Sequence, residues 1–172
     1  MNYNIYCGDK MKVTSKGIIN GYIEDKYGKR GNQFNEVNSC TYSLPFLIED
    51  FPSNTICFAI VLEDKDAIPV CGFSYIHWSI ADLKTNEIGE NESIKNLDLI
   101  QGVNSEFKII GIKKASMYTG MAPPDKDHTY EIHVYALNKE TNLKKGFFVN
   151  ELYKAMEGHI LDSYTLKGIY KK

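Results

Sequence analysis

The sequence lacks the features by which several large protein classes are recognised. Its formal net charge is -2, so it has no basic excess that would attract nucleic acid or an anionic membrane surface. Its longest apolar run, residues 56–62, is far too short to cross a bilayer. The N-terminus has neither the basic region nor the apolar stretch of a secretory signal. These absences predict a cytoplasmic protein with no transmembrane segment. Any anion that it binds would have to be held by a local site, because the protein as a whole carries no positive net charge.

Cysteine pairs of the zinc-binding or redox type are also missing. The four cysteines are Cys7, Cys40, Cys57 and Cys71, and no two of them form a C-x-x-C motif. Cys57 lies in an apolar segment, where a thiol is expected to pack as a small hydrophobic group. We therefore expect reduced, structural thiols. No repeat, low-complexity tract or linker divides the chain, and its length favours a single domain over residues 1–172.

The chain does contain a series of short strand patterns. Residues 55–62 form a continuous run rich in β-branched and aromatic side chains, which predicts a central strand buried on both faces. Residues 43–48 predict an edge strand, because Pro45 cannot donate to a ladder. Residues 17–38 predict a short strand followed by a loop. Further strands are predicted at residues 11–15, 75–80, 107–112, 130–137 and 165–170, with a turn at 52–54.

Only one helix pattern is strong, and it lies near the C-terminus. Between residues 149 and 161, apolar side chains recur along one helical face, at Val149, Leu152, Tyr153, Met156 and Ile160. Asn150 and Glu151 suit the first turn of such a helix. Many strands with little helix between them predict an antiparallel or mixed β-sandwich.

Four polar residues accompany these strands as candidates for a site. Asp64 and Asp66 follow the strand at 55–62, and in an extended chain they would point to the same side. His77 lies within an apolar strand beside the only tryptophan, and His128 leads into another strand. Each has an ordinary structural explanation when taken alone, since carboxylates at strand ends are usually solvated and histidines within strands usually belong to the core.

The loop at residues 118–124 is the more informative segment. Gly120 would permit a close approach between the backbone and a ligand, and Pro123 and Pro124 stiffen the loop before His128. Backbone N–H groups in such a loop, next to a histidine, predict a cradle for an anion. The alternative interpretation is an ordinary turn stiffened by proline. We interpret His133 and His159 as structural residues.

Together and in this order, these segments resemble the phosphatidylethanolamine-binding protein family, and more closely its bacterial and archaeal Raf kinase inhibitor-like branch. The resemblance extends from residue 11 to residue 170. The family's Asp-Pro-Asp-Ala-Pro, His-Trp, Gln-Gly-x-Asn-Ser, Gly-Tyr-x-Gly-Pro-x-Pro-Pro, His-Arg-Tyr and Tyr-Ala-Leu correspond to residues 64–68, 77–78, 101–105, 117–124, 128–130 and 135–137. The chain departs from these motifs at Lys65, at Ile68 and at Met121, each of which replaces a proline.

The resemblance implies a mostly-β Greek-key sandwich with a few peripheral helices, including the one near the C-terminus. It implies that one pocket is lined by Asp64, Asp66, His77, Tyr118, Gly120 and His128. In the family this pocket takes phosphate-like anions, phosphorylated small molecules or phospholipid head groups, and no cofactor is expected. The resemblance also carries the expectations of a homodimer and of a protein partner, such as a kinase or another enzyme that is inhibited.

For the pocket we predict that both imidazoles and the backbone N–H groups near Gly120 donate to a phosphoryl oxygen. Met121 would add a donor that the family's proline lacks. The aspartates would favour protonated imidazoles or accept the ammonium of a head group, so that anion binding weakens above neutral pH.

The leading interpretation is a binding or regulatory module rather than an enzyme, because no Ser or Cys stands in a nucleophile elbow. The alternative is a metal-assisted hydrolase that uses the two Asp and two His. A third interpretation, a fold whose pocket has degraded, is suggested by the substitutions at Ile68 and Met121.

Overall fold

The computed structural model describes residues 10–172, and two β-sheets form its framework. The strands of these residues are β1 (Lys12–Thr14), β2 (Ile18–Ile19), β3 (Tyr22–Ile23), β4 (Phe46–Glu49), β5 (Cys57–Asp64), β6 (Tyr75–Leu83), β7 (Glu87–Ile88), β8 (Ile100–Gln101), β9 (His128–Leu137) and β10 (Ile160–Tyr170). One sheet has the order β1-β4-β7, and the other has the order β2-β3-β10-β9-β5-β6-β8. Neighbouring strands are antiparallel, except that β3 and β10 run parallel.

The two sheets enclose the larger of the two apolar clusters found among residues 10–172. Val13 and Ile48 from the small sheet share this cluster with Ile60 and Val134 from the large sheet. An edge-on contact between Phe46 and Trp78, with ring centroids 6.1 Å apart, also joins the sheets. The predicted mostly-β Greek-key sandwich with a few peripheral helices is confirmed.

Strand β5 is buried on both of its faces, as the run at residues 55–62 predicts. Alternate residues, such as Phe58 and Ile60, face the cluster between the sheets. The residues between them, such as Cys57 and Ala59, face a second cluster beneath the C-terminal helix. A strand with apolar side chains on both faces must lie in the middle of a sheet covered on both sides, and β5 lies between β9 and β6.

The helices of the described residues are short and lie at the periphery. They are α1 (Ile68–Cys71), α2 (Glu92–Lys95), α3 (Phe107–Ile110), α4 (Ile112–Ala115) and α5 (Val149–Met156). The strand predicted at residues 107–112 is therefore wrong, because this segment forms α3 and α4, joined at Gly111. The side chain of Asn104 accepts a hydrogen bond from the N–H of Glu106 at 2.9 Å, which helps to start a turn that overrides the strand preference of the isoleucines.

The C-terminal helix exists but ends earlier than its apolar pattern predicts. It stops at Met156, and Gly158, with a φ of 73°, turns the chain into β10. Ile160, which the pattern assigns to the helical stripe, begins this strand and is half exposed. The predicted final strand is correspondingly longer, because β10 pairs with β9 over almost its whole length.

The edge position predicted for residues 43–48 is also wrong. Strand β4 begins just after Pro45 and pairs with β1 on one side and β7 on the other. The proline precedes the ladder and removes no hydrogen bond from it, so the strand can occupy the middle of the small sheet.

The remaining strand predictions are close to the structure. Strands β1, β6 and β9 coincide with the patterns at residues 11–15, 75–80 and 130–137, although β6 and β9 are longer than predicted. Residues 17–38 hold two two-residue strands, β2 and β3, followed by a short 3-10 turn.

Three of the four cysteines lie among the described residues. Cys40, Cys57 and Cys71 are free thiols, and Cys57 is buried as expected. Cys7 and the rest of residues 1–9, on which the prediction of no secretory signal depends, lie outside the described residues. No helix among residues 10–172 has both the length and the apolar character that crossing a membrane requires.

Candidate functional site

A cavity of about 270 Å³ opens at one end of the large sheet. Its walls come from the end of β5, the starts of β6 and β9, helix α1, and loops around residues 38–40 and 119–124. Four of the six predicted site residues line it, namely Asp64, His77, Gly120 and His128.

Strand register brings three of these side chains to one face of the sheet. Asp64 lies opposite Tyr75 of β6 and opposite Tyr130 of β9. Residues opposite one another share a face, and so do residues two apart on one strand. His77, two residues after Tyr75, and His128, two residues before Tyr130, therefore point to the same side as Asp64. The aromatic contacts agree, since the His77 ring lies 5.0 Å from that of Tyr75 and 5.2 Å from that of Tyr130.

A β-bulge lets His77 and Trp78 face inward together. In the pairing of β5 with β6, Leu62 lies opposite Trp78 and the next residue, Glu63, lies opposite Ile76. His77, between Ile76 and Trp78, is therefore the extra residue of the bulge. In a regular strand, two consecutive side chains would point to opposite faces. The bulge instead places the imidazole at the cavity and the indole in the core between the sheets.

His128 is held between two carboxylates. Its Nδ1 lies 2.7 Å from Asp64 Oδ2, and its Nε2 lies 2.8 Å from Asp125 Oδ1. Burial lowers the pKa of His128, but the hydrogen bonds to Asp64 and Asp125 outweigh burial and raise this pKa above its ordinary value. The raised pKa favours the imidazolium form, in which both ring nitrogens donate to carboxylates and both N–H groups are already used.

The pKa of His77 is shifted in the opposite direction from that of His128. Its Nδ1 donates to the carbonyl oxygen of Thr119 at 2.8 Å, because a carbonyl oxygen can only accept. Burial lowers the pKa of His77, so the neutral ring carries its proton on Nδ1 and presents Nε2 as an acceptor. In this neutral form His77 would present an acceptor to a ligand in the cavity rather than the donor that the sequence predicts.

The predicted cradle of backbone donors is not formed by the loop at Gly120. Three consecutive N–H groups of this loop already have carbonyl acceptors: Thr119 donates to His77, Gly120 to Cys40 and Met121 to Tyr27. The glycine is needed for packing, since a Cβ there would lie 2.6 Å from Cys40 Cβ and 2.7 Å from the carbonyl oxygen of Tyr27. Met121 adds no donor to the cavity, because its N–H points to the carbonyl oxygen of Tyr27 at 3.4 Å, and its side chain is fully buried in the core.

Two of the predicted residues lie outside the cavity wall. Tyr118 is buried in the core between the sheets, where its hydroxyl donates to the carbonyl oxygen of Tyr27 at 2.6 Å. Asp66 follows the end of β5, and its Oδ2 accepts the N–H of Thr129 at 2.9 Å. This bond lowers the pKa of Asp66 and ties the turn after β5 to the start of β9, next to His128.

Two carboxylates that the sequence patterns do not single out belong to the site. Asp125 is hydrogen-bonded to His128. It lies in an exposed loop, and the only feature of the sequence that points to it is its position directly after Pro123 and Pro124. Glu106 lines the cavity and is buried, with a relative exposure of 6%. Its only sequence signal is that it directly follows the Gln-Gly-x-Asn-Ser motif.

The described residues contain one group of three side chains whose ligand atoms lie close enough together to hold a metal ion. This group consists of Glu63, Glu131 and His133, which lie on the other face of the large sheet. The group includes none of the cavity's carboxylates or imidazoles. Lys65 already bonds to Glu131 at 2.5 Å, so a metal ion would have to displace an ammonium group.

Comparison with known proteins assigns the family. A family model described as phosphatidylethanolamine-binding protein matches residues 12–171. The chain belongs to the phosphatidylethanolamine-binding protein family. The uncharacterized protein YxkA of Bacillus subtilis is 42% identical over 153 residues, which cover 85% of this chain and 87% of that protein. The UPF0098 protein PH1269 of Pyrococcus horikoshii is 34% identical over 168 residues, covering 94% of this chain and 77% of that protein.

Solved structures agree with this family assignment. The crystal structure of a putative phosphatidylethanolamine-binding protein homolog, CT736 from Chlamydia trachomatis, has a TM-score of 0.78 and 27% identity, covering 95% of this chain and 98% of that one. YbcL of E. coli has a TM-score of 0.74 at 17% identity, covering 95% and 99% of the two chains, and shows the shared fold. The family resemblance predicted from the motifs is confirmed.

Proposed function

We propose that this protein binds a phosphate-type anion, either free or as part of a phosphorylated head group, beside His128 in the cavity. In this proposal it acts as a ligand-binding or regulatory protein rather than an enzyme. Membership of the phosphatidylethanolamine-binding protein family supports a binding role, and the buried imidazolium supplies the positive charge that an anion needs.

The observation that carries the proposal is the contact between His128 and Asp125. The carboxylate of Asp125 lies on a half-exposed side chain and accepts the Nε2 hydrogen at 2.8 Å. An oxyanion of the protein itself thus occupies the position proposed for a ligand oxygen. A phosphoryl oxygen can replace it with a hydrogen bond of the same kind, since the donor and the charge of the acceptor are alike. Lys29, which also lines the cavity, adds a second positive charge at its rim.

The substitutions that suggested a degraded pocket do not touch its wall. Met121 is fully buried and packs in the core between the sheets. Ile68 begins α1 and is half exposed outside the cavity lining. The cavity therefore keeps its carboxylates and imidazoles in place despite both departures from the family motif.

The hydrolase alternative has weaker geometric support than binding. Asp64 Oδ2 and His128 Nδ1 are hydrogen-bonded to each other rather than free to bind a metal ion. Among the described residues, the one group of side chains close enough together to bind a metal ion lies on the other face of the sheet. A ligand that displaces Asp125 would also move the exposed loop bearing it. In this proposal a partner enzyme would detect that change.

Titration with two anions tests the proposal. We expect inorganic phosphate to bind at neutral pH, as measured by calorimetry, and to bind progressively less as pH rises through the raised pKa of His128. Sulfate, whose charge stays constant between about pH 6 and about pH 9, separates the titration of the protein from that of phosphate. An affinity for sulfate that stays constant over this range would contradict the proposed role of His128.

A variant of the competing carboxylate sharpens the test. We expect Asp125→Asn to strengthen phosphate binding about two- to fivefold, because the ligand no longer competes with an internal anion. Asp127→Asn is the matched control, since Asp127 carries the same charge in the same loop but bonds to the N–H of Lys172. Equal affinities for the two variants would show that the anion does not take the place of Asp125.

A further inference from the structure

Three polar side chains form a group on the face of the large sheet opposite to the cavity. Glu63 of β5 is paired with Glu131 of β9, and His133 follows two residues later, so strand alternation places all three on one face. The three side chains are mostly buried, with relative exposures of 12–15%. Like charges directly opposite each other repel, so a cation beside the two glutamates would stabilise the pair.

The facing atoms of these side chains are spaced like the ligands of a tetrahedral metal ion. Nε2 of His133 lies 3.0 Å from Glu63 Oε1 and 3.3 Å from Glu131 Oε2. Nitrogen and oxygen ligands lie about 2.0–2.1 Å from zinc, so two of them at a tetrahedral angle are about 3.3 Å apart. The three ligand atoms all lie within 4.8 Å of one another. Small side-chain movements would therefore bring all three to coordination distance of one ion.

Hydroxyl groups hold the outer atoms of two of these side chains. Nδ1 of His133 lies 2.9 Å from the hydroxyl oxygen of Thr165, and Glu63 Oε2 accepts the hydroxyl of Ser74 at 2.6 Å. Contacts of this kind orient the ligands of metal sites, and here they leave Nε2 and Oε1 facing each other. Because a threonine hydroxyl can donate or accept, Thr165 can accept a hydrogen bond from Nδ1 when Nε2 directs its lone pair at a metal ion.

A cation of the protein itself already lies between the two carboxylates. Nζ of Lys65 is 2.5 Å from Glu131 Oε2 and 3.4 Å from Glu63 Oε1, the same two oxygens that face the imidazole. The lysine side chain is 51% exposed, whereas the glutamates are mostly buried, so the ammonium can move into solvent while the carboxylates stay in place. Lys167 bonds to the other oxygen of Glu131, at 2.8 Å, and need not move. The ammonium of Lys65 thus marks the position of a cation and competes for it.

We propose that Glu63, Glu131 and His133 form a binding site for a zinc ion, which takes the place of the lysine ammonium. One imidazole nitrogen with two carboxylate oxygens suits zinc better than Mg²⁺ or Ca²⁺, which prefer sites made of oxygen alone. Water completes the four ligands. The ion joins β5 to β9, so its binding stabilises the folded chain. The site lies apart from the cavity and does not depend on the function proposed there.

Titration of the whole chain with zinc tests the site. We expect Zn²⁺ to raise the midpoint of thermal unfolding and to bind about tenfold or more tightly than Mg²⁺ in calorimetry. His133→Gln should weaken zinc binding about tenfold or more, since the loss of an outer contact alone costs about 10–100-fold in metal affinity. His159→Gln is the matched control, because His159 bonds to Asn138 and lies outside the group. Equal zinc affinities for the two variants, or equal affinities for Zn²⁺ and Mg²⁺, would overturn the proposal.

The competing lysine provides a test in which no proposed ligand is removed. Lys65→Gln should strengthen zinc binding about two- to fivefold, because the ion no longer has to displace an ammonium group. Lys84→Gln is the matched control, since Lys84 is also 51% exposed and pairs with Glu140 elsewhere. Equal zinc affinities for these two variants would show that zinc does not replace Lys65. Thermal unfolding without metal checks that each variant is folded at the titration temperature.

Paramagnetic Co²⁺, which uses the same kinds of ligand, locates the ion directly. In NMR spectra of the whole chain, Co²⁺ should broaden the amide resonances of residues 63 and 131–133 before those around Cys71, an exposed thiol. Broadening that begins at Cys71 would place the ion on the thiol and refute the site.

Discussion

Replacing Asp64 with asparagine should both destabilise the protein and lower the pKa of His128. The Asp64 side chain is almost fully buried and accepts two hydrogen bonds, from His128 Nδ1 at 2.7 Å and from the N–H of Ala67 at 3.2 Å. The amide of asparagine has a single acceptor oxygen, so one of the two donors would face an NH₂ group instead.

The expected loss of unfolding free energy follows from these contacts. Losing a charge-assisted hydrogen bond costs about 1.5–3 kcal/mol, and removing one partner of a buried ion pair adds to this cost. His128 can release its proton instead of staying charged, which limits the penalty. We therefore expect Asp64→Asn to destabilise the protein by about 2–3 kcal/mol at neutral pH.

The pH dependence of stability gives the prediction a second readout. Because the folded pKa of His128 is raised, its stabilising contribution is complete below about pH 6.5 and is lost as pH rises through the folded value. In Asp64→Asn this loss should begin at lower pH, since one of the two carboxylates that hold the proton is gone.

Urea unfolding across the pH range, together with NMR titration of the His128 ring, measures both effects. Asp98→Asn serves as the control, because Asp98 is an exposed residue of equal charge in a different loop. A pKa of His128 that does not change in Asp64→Asn would refute the pairing of Asp64 with the imidazolium. Equal stability of the two variants would refute the energetic argument.

Three further substitutions test single contacts. Gly120→Ala should destabilise the protein by about 1–3 kcal/mol in urea unfolding, since the new Cβ would overlap the side chain of Cys40. Tyr118→Phe should cost about 1 kcal/mol through its lost buried hydrogen bond, yet leave phosphate affinity unchanged, because the ring lies in the core. A fall in phosphate affinity would instead place Tyr118 at the ligand. A hydrogen bond from His133 lowers the pKa of Glu63 to about 2, so Glu63 contributes stability that is lost as pH falls from about 4.5 towards 2. In acid unfolding experiments, Glu63→Gln should therefore lose less stability over this pH range than the unmodified protein. An unchanged acid unfolding profile would contradict that role.

The fold was largely predictable because its central features are local in the chain. The β-branched and aromatic run at residues 55–62 determines a strand with two apolar faces, and such a strand must lie inside a covered sheet. The order of the motifs from residue 64 to residue 137 is enough to indicate the family without any tertiary contact. Local preference was misleading at residues 107–112, where a turn stabilised by the side chain of Asn104 leads into two short helices.

The site was predictable in its main residues but not in its chemistry. That Asp64, His77 and His128 belong together follows from the motif order, but each has a separate role set by its hydrogen-bond partners. Hydrogen bonds to two carboxylates raise the pKa of His128, whereas burial lowers the pKa of His77, whose Nδ1 proton is held by a carbonyl oxygen.

The sequence by itself determined most of the strands, the family and four residues of the cavity wall, because composition and alternation act along the chain. Only the tertiary structure decided which way the loop N–H groups point, that Tyr118 belongs to the core, and that Asp125 and Glu106 face the site. These outcomes depend on strand register, on the bulge at His77 and on contacts between distant segments. A hydrogen-bond partner tens of residues away shifts the pKa of a side chain, and the sequence around that side chain does not indicate which partner it has.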